Sequence, residues 1–343
     1  MMRRIVLLAV LLAAAAAVTA CGDTKVVREG PVTVAAGASG AASPAASEPG
    51  SPAARTAGVR IYVVTHGQAS SAFWAIVRNG VEAGARQMDV NLTYRAPDVY
   101  SLDKMVALVD DAIAARPDGL VVSLPEPGLG PAIKRAVAAG IPVVTINSGS
   151  DMSHKLGVLA HVGQPEDLAG YRSGQRLAAA GVRKALCVNL VIPNQGLDAR
   201  CRGLAKAMRE VGGHTTTMRV DDQDPMAPEK IAAAVRSAHA DGVLACNALS
   251  GLAAAHGLAD RPDVKIGTFD LGTDVLKAVQ SGRIAFAVDQ QAYLQGYLPI
   301  VFLAERARYG LFPAQGDVIP TGPNFVTAGD AAKAMELSKR SIR

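Results

Sequence analysis

From about residue 58 onward, apolar runs of strand length alternate with amphipathic helical stretches, and this alternation restricts the fold more than any other feature. The strand-length runs are Val59–Val64, Val90–Tyr94, Gly119–Ser123 and Pro142–Ile146, then Ala185–Val191, Thr216–Val220, Gly242–Cys246, Lys265–Thr268 and Ile284–Val288. Helical patterns lie between them, at Ala72–Gln87, Leu102–Ala115, Pro131–Ala139, Asp167–Ala179 and Leu197–Val211. Two similar punctuations, Ala-Arg-Pro-Asp-Gly at 115–119 and Ala-His-Ala-Asp-Gly at 238–242, each end a helical stretch and launch a buried strand. Strands alternating with helices predict parallel sheets covered on both faces. The series occurs twice, once before about residue 160 and once after. The expected fold is therefore α/β, with two doubly wound parallel-sheet lobes. Ligands of such sheets bind at the carboxyl ends of the strands, so a cleft between the lobes is the expected site.

The start of the chain has a different character. Arg3 and Arg4 precede an uncharged apolar run, Ile5–Val18, which ends in Val18-Thr19-Ala20-Cys21. About fourteen apolar residues fall short of the roughly twenty that span a bilayer. Residues 1–20 thus read as a signal peptide. The Val-Thr-Ala-Cys ending resembles the bacterial lipobox, which makes Cys21 the expected lipidation site. The alternative is an ordinary secretory signal with an incidental cysteine. Residues 21–57 are rich in Ala, Gly, Ser and Pro, and such a stretch buries too little apolar surface to offset its ordering entropy. They read as a flexible tether holding a folded body near a membrane.

Charge and cysteine content narrow the function. The formal charge of +5 includes Arg3 and Arg4, and the rest of the basic residues are spread evenly, which argues against nucleic acid as a partner. Past Cys21 the cysteines are Cys187, Cys201 and Cys246. An exported protein keeps disulfides, and one strand-to-helix turn brings Cys187 near Cys201. A Cys187–Cys201 bridge with Cys246 as a buried thiol is expected; three free buried thiols are the alternative. No spacing matches a metal site, and neither metal nor cofactor is expected.

Enzyme signatures are missing from the sequence. There is no Gly-x-Ser-x-Gly elbow, P-loop, His-Glu-x-x-His or Gly-x-Gly-x-x-Gly after a strand. Gly128-Leu129-Gly130 runs into Pro131 and reads as a helix-starting turn. An exported enzyme on this scaffold has Asp270 with His66 as its one conceivable pairing. No catalytic residue is expected.

Hydrogen-bonding groups recur instead at the strand ends. Asn147 follows Val143–Ile146, Asn247 follows Val243–Cys246, Asp270 follows Ile266–Phe269, and Gln290 follows Ala287–Asp289. Phe73 and Trp74 open the first helix, Arg200 opens the helix after Val188–Ile192, and His66 sits just past the first strand. Singly, each is equally a helix cap or a loop hydrogen bond. Their recurrence in both halves points to a polar cage.

These residues carry a family resemblance. From about Val59 to about Ala331 the chain resembles the type I periplasmic sugar-binding proteins of ABC importers, the group that includes ribose-, galactose- and inositol-binding proteins. The resemblance rests on Ser71-Ala72-Phe73-Trp74, Ile141–Asn147, Ala199-Arg200-Cys201-Arg202-Gly203, Gly267-Thr268-Phe269-Asp270, the Asp289–Tyr297 run and Thr321–Thr327, in that order and spacing. It implies three crossings between the lobes, near Val162, Gln290 and Pro320. The first lobe is then 58–162 with 291–320, and the second 163–290 with 321–343. It further implies that Trp74 or Phe73 stacks on a sugar ring, that Arg200 donates a pair of hydrogen bonds, and that Asn247, Asp270 and Gln290 complete the cage. The chemistry agrees, because a sugar offers an apolar face to an aromatic ring and a rim of hydroxyls to planar amide, carboxylate and guanidinium groups.

Two departures loosen the ligand's identity. Asn147-Ser148 stands where the ribose and galactose binders have an Asp-Arg pair, and Ala248 follows Asn247 where they have Asp. Other polyols, a deoxy sugar, a nucleoside or a quorum-type furanose remain open, with His66 as a compensating contact. The expected function is capture of a sugar or polyol by hinge closure, with delivery to the transmembrane subunits of an ABC permease by a lipid-anchored monomer. A subunit presenting ligand to a chemoreceptor or kinase is the alternative. A sugar-responsive repressor shares the lobes, but this chain has a signal and tether where a helix-turn-helix belongs.

Overall fold

Alternate residues of each apolar run face opposite sides of a sheet, and helices cover both sides. The computed structural model describes residues 58–67, 71–313 and 316–343; the expected signal peptide, the Cys21 anchor and the whole of the tether lie outside them.

The chain begins β1 (Arg60–Val64), α1 (Ala72–Gln87), β2 (Asn91–Arg95), α2 (Leu102–Ala115), β3 (Gly119–Ser123), α3 (Gly130–Ala138), β4 (Val143–Ile146), a one-turn α4 (Ser150–Ser153) and β5 (Ala160–Gly163). It continues α5 (Glu166–Ala179), β6 (Lys184–Leu190), α6 (Gln195–Glu210), β7 (His214–Val220), α7 (Ala227–Ser237), β8 (Gly242–Ala245), α8 (Ala248–Gly257), β9 (Lys265–Phe269), α9 (Thr273–Gln280) and β10 (Phe286–Asp289). The last elements are α10 (Ala292–Tyr309), β11 (Val318–Pro320), β12 (Asn324–Val326) and α11 (Ala328–Lys339). Two six-stranded sheets result, ordered β11-β5-β4-β3-β1-β2 and β12-β10-β9-β8-β6-β7. All pairings are parallel except β10 with β12. The main chain passes between the sheets three times: from β5 into α5, from β10 into α10, and from β11 into β12.

The period-2 pattern sorts the cores. In β1, Ile61 and Val63 pack with α1 and α10, while Tyr62 and Val64 pack with α2 and α3. In β6, Ala185 and Cys187 join the α5–α6 side, while Leu186 and Val188 join the α7–α8 side.

On one face of each sheet, a helix pair meets backbone to backbone through glycine. A Cβ on Gly80 of α1 would lie 2.0 Å from the Tyr293 carbonyl oxygen, and one on Gly296 of α10 would lie 2.0 Å from that of Val77. In the second lobe, a Cβ on Gly170 of α5 would meet the Arg200 carbonyl oxygen at 2.0 Å, and one on Gly203 of α6 would meet that of Asp167 at 2.1 Å. This contact seats the start of α5 directly against the start of α6.

Helices α1 and α2 and strand β3 span the stretches expected from the sequence, and the other expected elements shift by one or two residues at their ends. Strands β5, β11 and β12 were not among the apolar runs. Each is three or four residues long, and β11 and β12 are edge strands, so none shows enough alternation to read. Among the described residues, no helix is long and apolar enough to cross a membrane.

Candidate functional site

The carboxyl ends of β4, β9 and β10 bring Asn147, Asp270 and Gln290 into one hydrogen-bonded chain. Asn147 and Asp270 both take left-handed backbone conformations, φ 68° and 67°, where Asn and Asp are the best tolerated non-glycine residues. The sharp turn directs their side chains across the strand ends. Gln290 Nε2 donates to Asp270 Oδ1 at 2.6 Å, and its Oε1 accepts from Asn147 Nδ2 at 3.3 Å. Gln295, fully buried in α10, joins them: its Oε1 accepts from Asn147 Nδ2 at 3.2 Å and its Nε2 donates to Gln290 Oε1 at 3.0 Å. Asn147 stands at the carboxyl end of a first-sheet strand, and Asp270 and Gln290 at those of second-sheet strands, so this network ties the two lobes at a crossing.

A second set of bonds joins the lobes farther out. Gln195, at the start of α6, donates from its backbone N–H to the Pro125 carbonyl and from Nε2 to the Leu124 carbonyl, both at 2.8 Å. Ser148 Oγ donates to Asn194 Oδ1 at 3.0 Å, and that oxygen also caps α6 by accepting from the Gly196 N–H at 2.9 Å. The lobes therefore stand in direct contact in this structure, as in a closed state.

Arg200 and Glu166 form the core of the second wall. They are 2 % and 4 % exposed, out of reach of solvent screening. Arg200 donates from Nε to Glu166 Oε2 at 2.6 Å, from Nη2 to Glu166 Oε1 at 2.8 Å, and from Nη1 to the Cys246 carbonyl at 2.7 Å. Its guanidinium lies 4.1 Å from the centre of the Phe269 ring. Burial alone pulls the Arg200 proton affinity down, but the Glu166 carboxylate outweighs it and the net shift is upward. Burial pushes the Asp270 carboxyl up to about 6; Arg200 and the Gln290 hydrogen bond oppose the rise, and Glu166 and Asp289 add to it. Asn247 is the N-cap of α8, accepting from the Ser250 N–H at 2.9 Å while its Nδ2 donates to Asp222.

The first wall is aromatic and neutral. His66 Nδ1 lies 2.8 Å from Ser123 Oγ, and burial holds the imidazole down to about 3. The ring meets Trp74 edge-on at 4.7 Å and Tyr100 at 6.0 Å. Trp74 is only 8 % exposed and packs into the core beside Gly67, whereas Phe73, edge-on to it at 5.2 Å, keeps a partly exposed face. Tyr100 donates to Glu126; burial and that carboxylate raise its phenol.

Cys187 and Cys201 are joined by a disulfide, and Cys246 is a free buried thiol 3.7 Å from both sulfurs. Burial pushes the Cys246 thiol up to about 12, so it stays protonated. Glu166, Gln195, Gln295, Tyr100 and Glu126 are not among the residues expected from the sequence. Only Gln295, inside the Asp289–Tyr297 run, stood in a stretch already singled out. Two surface hollows, around Glu82–Leu92 and around Arg60, Asn91 and Pro117, lie by the amino-terminal ends of β1 and β2, opposite to where parallel sheets bind ligands.

Residues 61–310 match the family model described as a periplasmic binding protein domain, well over half of the chain. The chain belongs to the periplasmic binding protein family. Members of this family are substrate-binding proteins working outside the cytoplasm. The chain is 33 % identical to the carbohydrate transporter from Acidothermus cellulolyticus 11B solved with myo-inositol, covering 83 % of this chain and 100 % of that one at a TM-score of 0.77. A glucose-galactose binding protein from Geobacillus stearothermophilus shares the fold, at 23 % identity, a TM-score of 0.69, and coverage of 79 % and 98 %. The xylose/arabinose-binding protein of Sulfolobus acidocaldarius is 24 % identical over 279 residues, covering 74 % of this chain and 68 % of that one. The two sheets joined by three crossings are the type I architecture of this family.

Proposed function

We propose that this chain is the solute-binding component of an ABC sugar importer, holding a sugar or cyclic polyol between its lobes and delivering it to the permease. The observation that carries this reading is the Asn147–Gln290–Asp270 network, which draws donors and acceptors from both lobes to one point at a crossing. A ligand bonded to both walls favours the closed form by those contacts alone. The partly exposed face of Phe73 suits a sugar ring's apolar side, while Asp270 and Gln290 suit hydroxyls. Arg200 has five N–H donors, of which three are engaged, leaving one on each Nη for ligand oxygens. His66 and Asn247 flank these groups on opposite walls. The relative solved with myo-inositol supports a cyclic polyol.

The lobes of this reading are 58–162 with 291–320 and 163–290 with 321–343, and the strand membership of the two sheets supports that division. Export by residues 1–20, a lipid on Cys21 and a tether over 21–57 would keep a monomeric body close to its permease. The test is a thermal-shift series on the full chain with myo-inositol, D-arabinose, D-xylose, nucleosides and amino acids. A ligand that binds only the folded state raises the midpoint by mass action. A rise with a sugar or polyol, lost in Asp270→Ala, is expected; a rise with amino acids alone would replace the ligand class.

A further inference from the structure

Glu166 lies at the first residue of α5, where an acidic side chain ordinarily serves the helix dipole from the surface. Here it is buried instead, and both of its oxygens are turned onto Arg200. Its Oε2 also accepts from Gln164 Nε2 at 2.8 Å, and Gln164 stands on the connection between the two sheets. The glycine contacts of Gly170 with the Arg200 carbonyl and of Gly203 with that of Asp167 hold the two helix starts at this distance.

A buried, unpaired arginine is the strongest receptor for carboxylate or phosphate that side chains offer, because its planar fork matches both in two parallel bonds. In a cage reached by many polyhydroxyl compounds, it would capture the acidic ones first. In this chain one edge of the fork is already filled by a carboxylate from the protein itself. Asp270, the other charged group at the network, is anionic or neutral, and Asp289 is matched by Arg343 at 2.7 Å.

We propose that Glu166 sets the charge class of the ligand: by neutralising Arg200 and engaging two of its donors, it reserves the cleft for uncharged polyhydroxyl compounds and excludes sugars bearing a carboxylate or phosphate. Glu166 is thus a positioning and specificity-determining residue acting through Arg200. The inference rests on the sugar or polyol reading of the cleft.

The experiment is calorimetric titration of the full chain and of Glu166→Gln with myo-inositol, D-arabinose and D-xylose as neutral probes and D-glucuronate and D-galacturonate as acidic ones. The unaltered chain binds at least one neutral probe, with the uronates weaker by at least about a hundredfold, since like charges brought together in a buried site cost several kcal/mol. In Glu166→Gln, uronate affinity rises relative to the best neutral probe by about tenfold or more. The acid limb of the binding pH profile also moves down, because Glu166 is one of the groups that raises Asp270. A purely structural Glu166 would instead weaken all probes alike and leave that limb in place, which overturns the inference while the sugar reading stands. Uronates binding the unaltered chain as tightly as neutral probes would overturn it as well. Failure of every neutral probe would remove the sugar reading itself. Should Glu166→Gln not fold, Glu166→Asp keeps the charge with a shorter reach; it is expected to weaken the neutral probes yet still exclude uronates, and uronate uptake by that variant counts against the proposal.

Discussion

At the carboxyl ends of the first sheet stand His66, Ser123, Tyr100 and the Phe73–Trp74 pair, while the corresponding ends of the second sheet hold Arg200, Glu166 and Asp270. The two sheets have the same strand number and nearly the same connectivity, and both rest on a glycine-mediated helix pair. Their shared architecture leaves the wall chemistry free to differ. One wall is held by ring packing and a neutral imidazole, the other by a buried ion pair. The first should therefore respond to lost volume and the second to lost charge.

The largest effect expected from breaking this contrast is Arg200→Ala. It leaves the Glu166 carboxylate buried and unpaired, which costs about 3–5 kcal/mol of stability, and it removes the donors assigned to the ligand. Replacing Arg200 and Glu166 together by leucine should recover much of that stability but no binding, as denaturant titration beside calorimetry would show. Next come the helix pairs, where the lobes should behave alike. Gly203→Ala and Gly296→Ala each force a Cβ against a facing carbonyl and should cost about 1–3 kcal/mol. A difference well beyond that range between the two would mean the lobes tolerate helix separation unequally.

Phe73→Ala removes the partly exposed ring of the first wall, with an expected loss of about 1–2 kcal/mol in sugar affinity and little in folding. Trp74 is buried, so Trp74→Ala should do the reverse, costing about 3–5 kcal/mol of stability by cavity formation. Equal effects of the two on affinity would erase the distinction drawn between them.

The smallest effect at neutral pH lies in the pH profile, where the walls should have opposite slopes. His66 is lowered from 6.5 to about 3, so its contribution is present above pH 6.5 and is lost as pH falls toward 3. Asp270 is raised from 3.8 to about 6, so its contribution is present below pH 3.8 and is lost as pH rises through 6. Asp270→Asn should steepen acid destabilisation between pH 4 and 6 and His66→Gln should flatten it, both read from melting midpoints across that window.

The two-lobe α/β fold was legible because it rests on local periodicity. Runs such as Val143–Ile146 and helices such as α1 announce themselves over a single element. The strand-end residues Asn147, Asp270 and Gln290 were legible for the same reason, since a polar residue closing an apolar run marks where the strand leaves the sheet. Which of the adjacent Phe73 and Trp74 is buried was not legible. Successive helix positions are about 100° apart, so one ring turns inward, and the packing of Gly67 against Trp74 decides which. Nothing in the sequence marks Glu166. Its partner lies 34 residues away on another helix, and only the close approach of α5 to α6 through Gly170 and Gly203 brings the two charges together. The sequence alone determined the elements, their alternation and the polar groups at the strand ends, because each is set by neighbours along the chain. Only the tertiary structure decided which of those groups meet and which charges cancel, because burial and pairing depend on contacts between residues far apart in the chain.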